Sequence, residues 1–543
     1  MRNSEKYQNW LVFGLFTLLI FGQTLLFDHF AFYELPLSPT PLQQLLMLLY
    51  KLAAAMLFAS PVFLLRDTRW LILWSVIIDT WFVANLIYMR NNHILLDGEA
   101  FNMSGNLHGY FWSVLIYIEW GIDLIFYGLT AVFGWFLWRL RESERKVWPF
   151  ILVVLFGLCP LIQERHSHVY GQPFPETVAR TSLLYAPYYI IADYRLMNDG
   201  IQPDRPMTEA DDTLADSLNT GSDSVRMDSP LIIVLLESLE NWVVTPQIMP
   251  NLYRLTNNEH VFYANRIHTQ IIGAPSADGQ MLVNTGLLPI TAGGTCLHYW
   301  RHTYPAIMKT APDSAVCLLP HDTCVWNQTH MSPAYGYDTT ICYSDVDTIL
   351  FRKLDSLVDD GWQYIQCITQ STHAPFVNEK YSHLDVPHSM PWVMYNFIRG
   401  FNALDDGLGV FIRKLETDPK LQQYTIVITG DHRILHREKR NQMQHYADRW
   451  DDIAYDWISS LTPTDDCLPL IIYSPKITGN PRYTGDAYQM DIYPTYRALV
   501  GAGEARWQGF GINLMDSTQK RAIPEEDAYR LSDKMIRNDY FGR

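Results

Sequence analysis

Four short stretches of this sequence carry residue types that metal-assisted or nucleophilic chemistry needs. Glu237-Ser238 follows the apolar run Leu231-Ile-Ile-Val-Leu-Leu, and Asp431-His432 follows Thr425-Ile-Val-Ile-Thr-Gly430. Thr372-His373 follows Tyr364-Ile-Gln-Cys-Ile-Thr369, and Ser276 stands in the Gly/Ser/Asp-rich stretch Gly273-Ala-Pro-Ser276-Ala-Asp278-Gly279-Gln280. Carboxylate, carboxylate and imidazole fit a zinc- or manganese-like ion, with one coordination position left for a nucleophile. Taken singly, each residue has a plainer explanation: Glu237 as a polar strand end, His373 as a loop histidine on Pro375 and Phe376, Ser276 as a turn residue or helix N-cap. Asp431-His432 resists that treatment, because two adjacent ionisable groups at a buried strand's exit need a partner, and a cation is one.

The elements around these stretches set where they stand. Continuous apolar runs of the Leu231 type suit strands buried on both faces of a parallel sheet, and they recur at Ala315-Val-Cys-Leu-Leu, 364–369, 425–429 and Leu468-Pro-Leu-Ile-Ile-Tyr. Helical patterns lie between them, as from Phe397 to Leu415, so the chain from Pro230 to Arg543 is expected to be an α/β sandwich with a largely parallel central sheet. Ligands of such sheets bind at the carboxyl ends of strands, where the polar pairs stand. No CxxC or zinc-finger spacing appears among the seven cysteines, and no more than two disulfides are expected.

The N-terminal part is different. The 543 residues are 48% hydrophobic and only 18% charged, and almost every long apolar run lies before residue 165. Five segments, Trp10 to Phe27, Leu42 to Leu65, Trp70 to Met89, Phe111 to Trp138 and Pro149 to Ile162, predict a five-helix transmembrane bundle over residues 1–165, the fifth being short. Arg66, Arg69, Arg139, Arg141, Arg145 and Lys146 mark cytoplasmic loops, which places the C-terminal domain on the extracytoplasmic side. Asp79, Glu119 and Asp123 interrupt these helices, either as a groove for a lipid headgroup or acceptor, or as a polar network within the bundle. Residues 166–229 are expected to form a juxtamembrane helix, lying on the membrane or packed on the domain, and then an extended acidic linker from 203. With 41 Lys+Arg against 57 Asp+Glu, a net charge of −16, the chain has no footprint for nucleic acid.

The order of motifs resembles that of lipoteichoic acid synthase-like phosphoglycerol and phosphoethanolamine transferases, in the sulfatase-type branch of the alkaline phosphatase superfamily. The resemblance rests on Ile232 to Asn241, Met249-Pro-Asn-Leu, Ser276 to Pro289, Trp326-Asn327, Thr372-His-Ala-Pro-Phe376, Ile428 to His432 and Asp491-Ile-Tyr-Pro-Thr495. It implies an alkaline-phosphatase-like domain in which Glu237, Asp431, His432 and Ser276 hold one divalent ion (Mn, Zn or Mg), Ser276 is the nucleophile and His373 meets the substrate phosphate or protonates the leaving alcohol. It further implies a bacterial inner-membrane protein with a phosphatidylglycerol or phosphatidylethanolamine donor and an exported glycan, lipid or polymer as acceptor. The family's headgroup pocket has Trp-Asn-Arg where this chain reads Trp326-Asn327-Gln328, losing a bidentate cation, and His321 and Asp322 are further candidates to line that pocket. A phosphatase or phosphodiesterase would use the same groups with water as acceptor. A sulfatase would need a Pro and an Arg after its nucleophile, which Ser276-Ala-Asp-Gly-Gln280 lacks, and a sensor with a decayed site would have lost one of these four ligand residues.

Overall fold

The computed structural model describes residues 2–32, 40–65, 67–92, 95–96, 118–139, 146–166, 180–188, 190–191, 206–271, 275–290, 294–311, 315–343, 347–373, 381–387, 390, 392–433, 461 and 467–543. The chain divides into two compact units, one holding residues 1–104 and 110–197, the other 105–109 and 198–543.

The first unit is helical. Among the described residues, four helices are long and apolar enough to cross a membrane, at Gln8–Phe32, Pro41–Phe63, Thr68–Arg90 and Trp120–Trp138. The fifth expected span is the helix Val147–His166, whose apolar part, Val147–Pro160, is shorter. The fourth helix begins at Trp120 instead of Phe111; residues 111–117 lie outside the described ones. Of the two readings of the intramembrane acids, the described contacts favour the polar network. Gln23 Nε2 donates to Asp79 Oδ1 at 2.8 Å, Lys51 pairs with Asp28 at 2.8 Å, and Arg90 grips both oxygens of Asp123 at 2.9 Å. Each contact joins two different helices, which is how polar groups are accommodated in hydrocarbon. The aromatic stretch after the fifth helix is also drawn inward: Leu183, Leu184 and Tyr185 are buried in the core of this unit, and Tyr185 Oη donates to the Gly157 carbonyl at 2.5 Å.

The second unit is built on a nine-stranded sheet: β1 (Leu231–Leu236), β2 (Val261–His268), β3 (Ala315–Leu319), β4 (Thr339–Cys342), β5 (Tyr364–Ile368), β6 (Thr425–Gly430), β7 (Leu468–Tyr473), β8 (Arg482–Tyr483) and β9 (Ala487–Tyr488). The order is β4-β3-β5-β1-β6-β7-β2-β8, with β9 on β2. The five strands from β4 to β6 are mutually parallel, and β7 runs antiparallel to both its neighbours. Alternate residues of β1 feed opposite layers. Ile233 and Leu235 pack with Met281, Leu282, Tyr496 and Leu531, while Ile232, Val234 and Leu236 pack with Leu354, Phe397 and Leu408. That two-sided burial explains why these strands read as unbroken apolar runs. All seven cysteines are free thiols.

The stretch read as an extended linker is instead part of this unit. Thr208 and Asp211 form a capping box for the helix Glu209–Ser217, which buries Ala215 in the core. Asp211 accepts from Arg530 and Lys534, each at 2.6 Å, on the C-terminal helix Glu525–Arg537. Burial alone would raise the Asp211 carboxyl, but Lys534, Arg530 and Thr208 hold it well below the usual range. A helix with so few apolar positions leaves little periodic signal; its partners come from the far end of the chain. Asp211→Ala is expected to destabilise the second unit by about 2 kcal/mol at neutral pH. Because the carboxyl's value is depressed on folding, the deficit should shrink as pH falls below about 4. Chemical denaturation at both pH values checks this, and equal stability at neutral pH would contradict it.

Candidate active site and metal centre

β1 and β6 are neighbours, with Leu236 opposite Gly430, so Glu237 and Asp431 leave the sheet side by side. The next residue after each strand exit tightens the pair. Ser238 takes a left-handed conformation (φ 60°), and there its N–H donates to Asp431 Oδ1 at 2.9 Å while its hydroxyl donates to Glu237 Oε1 at 2.8 Å. His432 N–H donates to the same Asp431 oxygen at 2.8 Å, and its Nδ1 faces the Arg433 carbonyl at 2.9 Å. A proton held on Nδ1 leaves Nε2 directed at the carboxylates, 3.3 Å from Glu237 Oε1 and 3.4 Å from Asp431 Oδ2.

Glu237, Asp431 and His432 are all buried, and their ligand atoms lie within 4.8 Å of one another. Asp431 Oδ2 has no hydrogen-bond partner. A buried carboxylate oxygen in that state is costly, and a divalent cation fits both the orphaned atom and the donor set. In the metal-free protein, protons do part of that work. Burial would raise Glu237, but the His432 imidazolium and, further off, His373 hold it low; burial and Glu237 together push Asp431 up to about 7. Burial would lower His432, but Asp431 and Glu237 push it up to about 10.

Ser276 is the second residue of the helix Pro275–Thr285. Its Oγ donates to Glu237 Oε2 at 3.0 Å and lies 3.3 Å from His432 Nε2. The helix start approaches the β6 exit so closely that a Cβ on Gly279 would stand 2.4 Å from the Asp431 carbonyl, which is why a glycine sits there. The first-turn N–H groups of this helix favour an anion beside Ser276. Gln489 fastens the other side, donating to the Asp431 carbonyl at 2.7 Å.

His373 is half-buried at the exit of β5, on the opposite flank of β1, and acts electrostatically on Glu237. Thr372 Oγ1 donates to the Glu237 carbonyl at 2.6 Å and Thr369 Oγ1 accepts its N–H at 2.9 Å. Pro375 and Phe376 lie outside the described residues. The expected pocket residues fare unevenly. His321 and Asp322 stand in the β3 exit loop, where His321 Nδ1 lies 3.1 Å from the Asp322 carbonyl, and Trp326 is half-buried with φ 51°. Gln328 is buried: its Nε2 donates to Gln280 Oε1 at 2.5 Å and its Oε1 accepts from Ser332 at 2.9 Å. Gln280 in turn donates to Gln366 Oε1 of β5 at 2.8 Å. Gln328 thus ties its own helix to the helix of Ser276, whose Gln280 makes the link to the sheet.

The Sulfatase family model matches residues 298–502, a span that contains His373, Asp431 and His432. The chain is 25% identical over 349 residues to lipoteichoic acid synthase-like YvgJ of Bacillus subtilis, covering 58% of this chain and 54% of that one. It is 22% identical over 569 residues to the lipoteichoic acid synthase of Staphylococcus saprophyticus, covering 94% and 85%. Lipooligosaccharide phosphoethanolamine transferase A (EptA) of Neisseria meningitidis shares the fold with a TM-score of 0.52, at 12% identity, over 91% of this chain and 95% of its own. The chain is thus similar in sequence to lipoteichoic acid synthases and in fold to a phosphoethanolamine transferase.

Sequence reasoning passed over Thr369 and Asp347, whose contacts are with backbone groups and leave no spacing signature. Since the metal-free site holds protons that a cation must displace, Mn2+ binding is expected to release about one proton at pH 7 and to weaken as pH falls. Calorimetry in buffers of different ionisation enthalpy measures this; binding that is proton-neutral and independent of pH would contradict it.

Proposed function

We propose that this protein is a membrane transferase that moves a phospholipid headgroup phosphate, phosphoglycerol or phosphoethanolamine, to a hydroxyl of an exported glycan, lipid or polymer through a phosphoseryl intermediate on Ser276. The observation that carries the reading is the Ser276 hydroxyl held 3.0 Å from Glu237 Oε2 and 3.3 Å from His432 Nε2 at a helix start. Glu237, Asp431, His432 and Ser276 would hold the ion, which when bound lowers the hydroxyl's pKa and offsets charge on the phosphoryl oxygens. Ser276 Oγ then attacks phosphorus, its proton passing towards Glu237, and the bond from phosphorus to the diacylglycerol oxygen breaks. His373 is placed to meet the phosphate or to give the departing alkoxide a proton. In the second half, the acceptor hydroxyl attacks the phosphoserine and Ser276 Oγ recovers a proton.

Glutamine in place of the family's arginine at position 328 removes a cation from the pocket, and the buried amide of Gln328 leaves the headgroup to His321, Asp322 and Trp326. That opens the pocket to a headgroup other than glycerol phosphate, ethanolamine phosphate included. The Lys/Arg-bearing loops support a topology of five crossings with the N-terminus inside, which would put the second unit on the outer face of a bacterial inner membrane, with access to a lipid donor and an exported acceptor.

Incubation of the detergent-solubilised protein with headgroup-labelled phosphatidylglycerol and phosphatidylethanolamine tests the proposal. Diacylglycerol release from at least one lipid is expected, with Ser276→Ala reducing it by roughly 10⁴-fold or more. Transfer of label to an added polyol rather than to water separates a transferase from a phosphodiesterase. Absence of release from both lipids, with bound metal confirmed, would sink the proposal.

A further inference from the structure

The segment leaving β5 meets Glu237 twice, at its N–H through Thr369 and at its carbonyl through Thr372, and it carries His373. Its own shape depends on a residue from another element. Asp347 opens the helix Asp347–Asp359 and is buried. Its Oδ1 accepts the Gln370 N–H at 2.9 Å, and its Oδ2 accepts the Ser371 N–H at 2.8 Å. Asp347 N–H returns a bond to Ser371 Oγ at 3.3 Å. The Tyr343 hydroxyl lies 3.1 Å from Asp347 Oδ1 and 2.7 Å from the Ile368 carbonyl, linking the carboxylate to the last residue of β5. An ionised carboxylate accepting two successive backbone N–H groups is a strong two-pronged clamp, and here it spans the turn immediately before Thr372 and His373.

We infer that Asp347 is a positioning residue for this site: by fixing the Gln370-Ser371 turn it sets where Thr372 holds the Glu237 backbone and where His373 stands. It touches no reacting atom. The His373 half of the inference rests on the proposed transferase function; the Glu237 half rests only on the cation site. An internal comparison is available in Asp405, whose carboxylate accepts the N–H groups of Asn251 at 2.8 Å and Leu252 at 2.9 Å. Those partners belong to the helix Pro250–Leu255, which supplies none of the site residues. Asp405→Asn therefore removes a like clamp with a purely structural effect.

The full-length protein in detergent is titrated with Mn2+ and assayed for diacylglycerol release, as wild type, Asp347→Asn and Asp405→Asn, with thermal unfolding recorded for each. Asp347→Asn is expected to weaken Mn2+ affinity and kcat/KM by roughly 10-fold to 100-fold, the scale of outer partners of metal ligands, whereas Asp405→Asn keeps both within about twofold of wild type. If the two variants lose stability alike and neither changes Mn2+ affinity or kcat/KM, the inference is overturned. Should Asp347→Asn not fold, Thr372→Val tests the same link further along, and wild-type Mn2+ affinity in that variant overturns it. A wild-type protein that binds Mn2+ but releases diacylglycerol from neither lipid defeats the transferase reading alone, and the affinity comparison then decides the role of Asp347.

Discussion

Two carboxylates confined at adjacent exits of buried parallel strands repel one another unless positive charge is placed between them. That constraint organises the site around Glu237 and Asp431. His432 supplies part of the compensation, and the left-handed turn at Ser238 supplies an N–H and a hydroxyl. The helix of Ser276 adds its positive end, and packs so tightly against Asp431 that only Gly279 fits at the contact. Asp431 Oδ2, which accepts no hydrogen bond and has His432 Nε2 3.4 Å away, is the part that calls for a cation.

The same charge argument connects site and chain. To handle anionic phosphodiesters, as proposed, a protein of net charge −16 must meet them with local positive groups, because its overall field repels them. A cation, a helix start and His373 serve that purpose over a few ångströms, where burial makes each charge count for more than on the surface. Within the helical unit the polar groups do a different job. Asp79, Asp123 and Lys51 are spent on contacts between helices, which ties this unit together.

Much of this was legible in the sequence, for physical reasons that differ by element. β1, β5 and β6 are covered on both faces, so they appear as unbroken apolar runs, and a polar pair at the end of such a run stands out; hence Glu237, His373, Asp431 and His432. Ser276 was found through the glycine and acid around it, which a tight helix start requires. The helix Glu209–Ser217 was hidden because Asp211 finds Arg530 and Lys534 some three hundred residues later, and composition alone looks like a solvated linker. The partners of Gln328 were not legible, because a glutamine replacing an arginine reads the same whether it faces substrate or bonds Gln280 and Ser332 inside. Asp347 left little trace, since its clamp is on two backbone N–H groups and its side-chain partner, Tyr343, forms no recognisable motif with it.

The central claim is that Glu237, Asp431 and His432 enclose one divalent cation within reach of Ser276. Anomalous diffraction from crystals of the Mn2+-loaded protein tests it most directly. The account predicts a single strong peak about 2.0–2.3 Å from an oxygen of each carboxylate, from His432 Nε2 and from Ser276 Oγ. A peak bound elsewhere, or an ion held by the carboxylates with Ser276 turned away, would contradict it.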